Sequence, residues 1–137
     1  MANQPQQPDT ALHNTSHLMQ YHDLIESIVA AMDARDAYTA KHSDRVADMV
    51  LVLATALDLS EDETTLLHMA AHLHDIGKIA VPDSVLRKAG PLTNPEWEEM
   101  RRHPVTGYEI LRKVDDFKEI AVLVRHHHER WDGRGYP

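Results

Sequence analysis

Imidazole and carboxylate are the only strong metal-binding side chains in this chain. Eleven of its 137 residues are histidine and none is cysteine, so disulfides, thiolate metal sites and cysteine nucleophiles are excluded together. The histidines are clustered. His13, His17 and His22 lie near the start, and His42 stands alone. His68, His72 and His74 share one stretch, with Asp75 directly after His74. His103 precedes a proline, and His126, His127 and His128 are consecutive. Neutral imidazole with a carboxylate suits iron, manganese or zinc, and one carboxylate can bridge two such ions.

Spacing sorts these candidates. His13 and His17 are four apart beside a polar start, and with His22 they read as a solvated helix beginning. His68 and His72 are also four apart, but Met69 follows His68, so the HExxH pattern of zinc proteases is absent. At 100° per residue His72 and His74 lie about 160° apart, and a regular helix cannot aim both at one site. His74 is the better candidate, because Asp75 follows it and Gly77 marks a helix end. His68 and His72 then face solvent. Pro104 pushes His103 out of the preceding helix, so its ring can point differently from a helical neighbour. Of His126, His127 and His128, two can comfortably face one side; Glu129 reads as a ligand orienter or a solvated acid.

The elements that must carry these groups are helical. Residues 1–9 hold four Gln/Asn and two Pro and have little to bury, which predicts a disordered tail over about 1–15 and one domain over 16–137. Leu18, Tyr21, Leu24, Ile25, Ile28, Val29 and Met32 follow helical spacing. A second helix is expected from about Lys41 to Leu57, with Val46, Met49, Val50, Leu53 and Ala54 on one stripe. Ser60 and Glu63 form a capping box for a third, ending near Gly77. Residues 79–92 read as a loop with one helical turn at 83–87. Thr93 and Glu96 cap a further helix that buries Trp97 and Met100. Pro104 opens another, running to about Val114, and a last one spans about Phe117 to His127. Strand-like alternation is absent at length, so the class is all-α.

Composition narrows the partners. Fourteen Lys+Arg against 22 Asp+Glu give a formal charge of −8, which argues against duplex nucleic acid. No apolar run of about 18 residues exists, and the start MANQPQQPDT lacks a signal peptide's parts, so no membrane association and a cytoplasmic location are expected.

Four segments together carry a resemblance. DAYTAKHSDRV (36–46), LHDIGKIAVPDSVLRKAGPLT (73–93), HPVTGYEIL (103–111) and HHERWDGRGYP (127–137) are similar, in order and spacing, to the HD-GYP subgroup of the HD superfamily. The likeness covers about residues 20–137. It implies a helical HD-type bundle around a buried metal site, and hydrolysis of cyclic di-GMP through a water activated by two divalent ions (Fe, Mn or Zn). By resemblance His42, His74, Asp75, His103, His127 and His128 stand at metal-ligand positions, with Asp75 bridging. His126 is then the spare. Lys78 resembles the lysine that contacts the scissile phosphate, and Gly135 and Tyr136 of the GYP loop resemble part of the substrate wall. Two ions would add about +4 locally, enough to draw a phosphodiester to an acidic protein.

The pattern also departs from the family in two places. A three-metal subset has Glu one turn before the first ligand histidine; Tyr38 stands there, so two metals are expected. The family continues past GYP to a late metal-binding Asp, and relative to it this chain reads as C-terminally truncated, with one metal site incomplete. Two other readings follow: an HD phosphohydrolase acting on another nucleotide or phosphate ester, or a non-catalytic signalling module. GYP-type loops in the family are thought to engage GGDEF domains, and the apolar first helix suits a homodimer.

Overall fold

The computed structural model describes residues 15–35 and 41–137, without the side chains of residues 15–17. The expected tail (Thr15 apart), His13 and Tyr38 lie outside the described residues, as does the His17 ring. The described residues form helices and turns and no strand, in agreement with the all-α reading. The chain enters through a 3-10 turn, Thr15–Tyr21, that runs into α1, His22–Arg35. Then come α2, His42–Ala56, and α3, Glu61–Leu73. A 3-10 turn, Ile76–Ala80, and the single turn α4, Asp83–Leu86, lead to α5, Asn94–Met100. The last two helices are α6, His103–Leu111, and α7, Lys118–His126.

Local chemistry explains the boundaries. The Ser60 hydroxyl accepts from the Glu63 N–H at 3.2 Å, and the Glu63 carboxylate accepts from the Ser60 N–H at 2.9 Å. Two of the donors that every helix start leaves over are thereby satisfied. Thr93 and Glu96 form the second capping box, the Thr93 N–H donating to Glu96 at 2.7 Å.

α3 is the central helix, packed against α1, α2 and α7, while α6 lies against α7 and the 76–80 turn. Ile25 and Val29 of α1, Met69 and Leu73 of α3, and Ile120 and Val124 of α7 make the core with Ile76 and Leu111. No helix among the described residues is long and apolar enough to cross a membrane.

Several expectations shift. On α2 the buried face is Ser43, Ala47 and Ala54; Met49 and Leu53 are exposed and Val46 and Val50 half-buried. Small residues face the core there because α2 packs close to α3, and the large ones are left outside. On α1, Leu24 and Ile28 are exposed for a similar reason: the core takes the Ile25–Val29 line. Trp97 is 44 % exposed, and no α5 residue is buried. α3 stops at Leu73, and Gly77 falls inside the following 3-10 turn. α6 and α7 end at Leu111 and His126, short of the expected Val114 and His127.

The break before Pro104 comes one step earlier than expected. Arg101 and Arg102 form the corner, and His103 is already the first residue of α6, with Pro104 behind it. The pre-proline bias against helical geometry is a preference, which packing of the helix outweighs here.

Candidate metal centre

α3 ends two residues before Asp75, and this placement turns His74 and Asp75 into the same space. His42, at the first position of α2, joins them. The backbone reaches His42 through Lys41 in the left-handed region (φ 61°), whose N–H donates to Asp33 at 2.9 Å. His103 enters from the first turn of α6, and His127 and His128 from the end of α7. Two groups result, His42–His74–Asp75 and His103–His127–His128; within each, one ligand atom per residue lies within 4.8 Å of the others.

Asp75 joins the two groups. Its Oδ2 lies 3.2 Å from His74 Nε2, and its Oδ1 lies 3.4 Å from His103 Nε2. The six residues read as ligands are therefore brought to one centre. The His42 and His74 rings are 5.4 Å apart, His74 and His127 5.2 Å, and His103 and His128 5.1 Å.

The rings are held in the form a metal needs. His74, His103 and His127 each present Nδ1 to the carbonyl three residues back, at 2.7, 2.8 and 2.7 Å. A carbonyl oxygen only accepts, so Nδ1 carries the proton and Nε2 is the atom left to ligate. His103 and His127 turn their Nε2 atoms toward each other at 3.3 Å. Two lone pairs at that distance repel unless a cation or a proton lies between them. This donor set fits divalent d-block ions.

The charges agree with the geometry. Burial alone would raise the Asp75 pKa, but His74 and Lys78 outweigh it and hold the carboxyl well below the usual range. Burial works against protonation of His74, yet its Asp75 partner lifts its pKa above the ordinary value. Burial also lowers His103, and lowers His127 and His128 to about 4, with neighbouring imidazoles adding to the effect at His127 and His128. Those three rings are thus neutral, as ligands must be, near pH 7.

A pH prediction follows for the chain held in chelator. The unfolded chain protonates His127 and His128 near the ordinary pKa of 6.5, the folded chain only near 4. Unfolding therefore takes up protons, and stability declines as pH falls from about 6.5 to about 4. His103 acts in the same sense, and His74 in the opposite one. Urea midpoints measured in chelator from pH 7.5 to 4.5 should fall on acidification; a flat profile would contradict the burial of these rings.

Lys78 lies on the 76–80 turn, and its Nζ donates to Asp75 Oδ2 at 2.7 Å. Tyr136 stacks on His128, with ring centroids 4.5 Å apart and planes 18° apart. Gly135 permits that contact: a Cβ there would lie 2.5 Å from the His128 carbonyl oxygen and 2.6 Å from the Arg130 nitrogen. His126 is exposed and turns its Nδ1 to the Val122 carbonyl, and Glu129 is exposed as well.

Two residues at this centre had no signal in the sequence. Arg35, in the last turn of α1, reads there as an ordinary helix-end charge. In the fold its guanidinium donates to the carbonyls of Lys78, Ile79 and Val81 at 3.0, 2.8 and 2.6 Å and to Asp83 at 2.7 Å. It fixes the turn that carries Lys78. Arg35→Met should lower unfolding free energy by about 1–3 kcal/mol, because three carbonyls and a carboxylate lose their donor. Urea unfolding checks this. Arg101 is the other: its guanidinium lies 5.6 Å from the Tyr136 ring centre and 5.6 Å from that of Trp97.

The remaining correction concerns the second histidine group. His72 is buried and His68 half-buried, against the solvent-facing positions expected for both, and His22 is half-buried against them. α3 is covered on that side by α1, which sequence spacing alone did not place.

Comparison with known proteins places the chain among relatives. A family model described as "HD domain" matches residues 22–137. The cyclic di-GMP phosphodiesterase response regulator RpfG of Xanthomonas campestris is 43 % identical over 117 residues, covering 84 % of this chain and 31 % of that protein. The 3'3'-cGAMP-specific phosphodiesterase 2 of Vibrio cholerae is 42 % identical over 120 residues, covering 84 % of this chain and 22 % of that protein. A cyclic di-GMP phosphodiesterase of Thermotoga maritima is 38 % identical over 117 residues, covering 84 % and 32 %. The chain thus spans about a third or less of the length of these relatives.

Proposed function

The chain belongs to the HD domain family, in its HD-GYP subgroup, and on that premise we propose that it is a metal-dependent phosphodiesterase of cyclic dinucleotides, with cyclic di-GMP its substrate. One observation carries the reading: the two oxygens of a single ionised carboxylate, Asp75, face two separate imidazole groups. That arrangement suits two divalent ions sharing one bridge. His42, His74 and Asp75 would hold one, and Asp75, His103, His127 and His128 the other.

Ions bound there would supply positive charge to the phosphate oxygens and acidify water near neutral pH. The chain's own residues do the rest. The Nδ1–carbonyl bonds of His74, His103 and His127 keep Nε2 aimed inward without reorganisation. Lys78 places an ammonium against the Asp75 carboxylate, where it can also meet a phosphate oxygen as charge builds on it. Tyr136, stacked on His128 and close to the Arg101 guanidinium, forms an aromatic wall beside the centre; Gly135 brings it there. Burial of His103 and Asp75 keeps bulk water from competing for these contacts.

A second reading has a specific support: relatives named for 3'3'-cGAMP match as well as those named for cyclic di-GMP. The substrate would then be a mixed cyclic dinucleotide at the same centre.

The test is hydrolysis of both cyclic dinucleotides with manganese, with metal content measured on the same samples. His128→Ala should lose bound metal and at least about 100-fold in rate. His126→Ala should keep its metal and stay within about two-fold, because its ring points away. Metal loss in His126→Ala with retention in His128→Ala would overturn the assignment of the triple.

A further inference from the structure

Three further histidines, His22, His68 and His72, form a group that the centre at Asp75 does not use. His22 opens α1, and His68 and His72 lie one turn apart on α3. The His22 and His68 rings are parallel within 4°, 5.8 Å apart, and His72 stands edge-on to both, at 5.5 and 4.7 Å. One ring nitrogen from each lies within 4.8 Å of the others. Nitrogens around a tetrahedral zinc ion are about 3.4 Å apart, given Zn–N near 2.0–2.1 Å, so small ring adjustments close the set.

The surroundings of the rings match a ligand shell. His68 Nδ1 lies 3.3 Å from the Ala47 carbonyl, which fixes its proton and leaves Nε2 to ligate. His22 Nδ1 faces Glu26 at 3.6 Å. His72 is 5 % exposed, and its Nδ1 is buried without a hydrogen-bond partner, with the Asp44 carboxylate 3.7 Å away. A buried imidazole nitrogen left unpaired is uncommon, and an ion nearby is one of its ordinary explanations. Three imidazoles, with the Glu26 carboxylate behind one and the Ala47 carbonyl behind another, make a zinc-type donor set.

We propose that His22, His68 and His72 bind one divalent ion of zinc type, separate from the centre at Asp75, which pins the start of α1 onto α3. The two groups share no residue: His22, His68 and His72 lie on α1 and α3, whereas His74 and Asp75 follow the end of α3. The site is structural in character. It bridges α1 and α3.

The test titrates the whole chain with zinc and follows the imidazole resonances by NMR. The rings of His22, His68 and His72 should shift together on one equivalent beyond what the Asp75 centre takes up, and Asp75→Asn should leave that response intact. His68→Gln should bind one zinc fewer and weaken this site by about 100-fold, while hydrolysis at the other centre stays within about two-fold. Rings that stay unmoved once the Asp75 centre is full, or an unchanged zinc content in His68→Gln, overturn the proposal. Should His68→Gln fail to fold, the wild-type titration alone decides it. Retained hydrolysis in Asp75→Asn, with the three-ring response intact, would count against the reading of Asp75 and leave this one standing.

Discussion

Asp75→Asn should lower cyclic dinucleotide hydrolysis by about three orders of magnitude, roughly 4 kcal/mol of transition-state stabilisation at 1.36 kcal/mol per decade. The substitution keeps the shape and removes the charge. It leaves His74 Nε2 and His103 Nε2 on either side of a neutral amide, at positions now 3.2 and 3.4 Å from the two carboxylate oxygens. It also leaves the Lys78 ammonium without the partner it holds at 2.7 Å. An amide offers a weaker oxygen on one side and an NH₂ donor on the other, so it cannot bridge two cations. Bound manganese should fall with the rate, while circular dichroism should report an unchanged helix content. Retained metal with lost activity would mean that Asp75 acts on the substrate rather than on the ions.

Gly77→Ala should act through space. A Cβ at Gly77 would lie 1.8 Å from the His103 carbonyl oxygen and 2.6 Å from the Gly107 nitrogen. Both obstacles are backbone, so no rotamer change relieves the clash. The 76–80 turn and α6 must separate, and His103 moves away from Asp75 as they do. Overpacking of this kind costs typically 1–3 kcal/mol, and the backbone setting places it at about 3, or roughly 10 °C in melting temperature. Metal affinity should fall with stability, because the two ligand groups are joined across this contact. Thermal unfolding with and without manganese checks both; a normal melting temperature would show that α6 does not sit this close.

The same glycine shows what could be read from the sequence and what could not. Gly77 was legible as a helix-end signal, yet α3 stops at Leu73 and the glycine is needed for the approach of a helix 26 residues further on. Ser60–Glu63 and Thr93–Glu96 placed two helix starts correctly, because a capping box is a local device. His74 was set apart from His72 by helical angle, and the two fall in different side-chain groups. Which side of α3 would be covered was beyond local pattern, since α1 settles there through Ile25 and Val29 in the core. His68 and His72 were misplaced for that reason, and Trp97 because a capped helix with one apolar side need not find a partner for it. Arg35 holds the Lys78 turn by bonds to carbonyls 43 to 46 residues away, a contact with no sequence motif.

Anomalous diffraction from crystals of the chain grown with manganese would show directly whether Asp75 joins two ions. Two manganese peaks are expected to flank the Asp75 carboxylate, one among His42 and His74 and the other among His103, His127 and His128. A single peak that Asp75 does not touch, or two peaks with no shared carboxylate, would contradict a bridging Asp75.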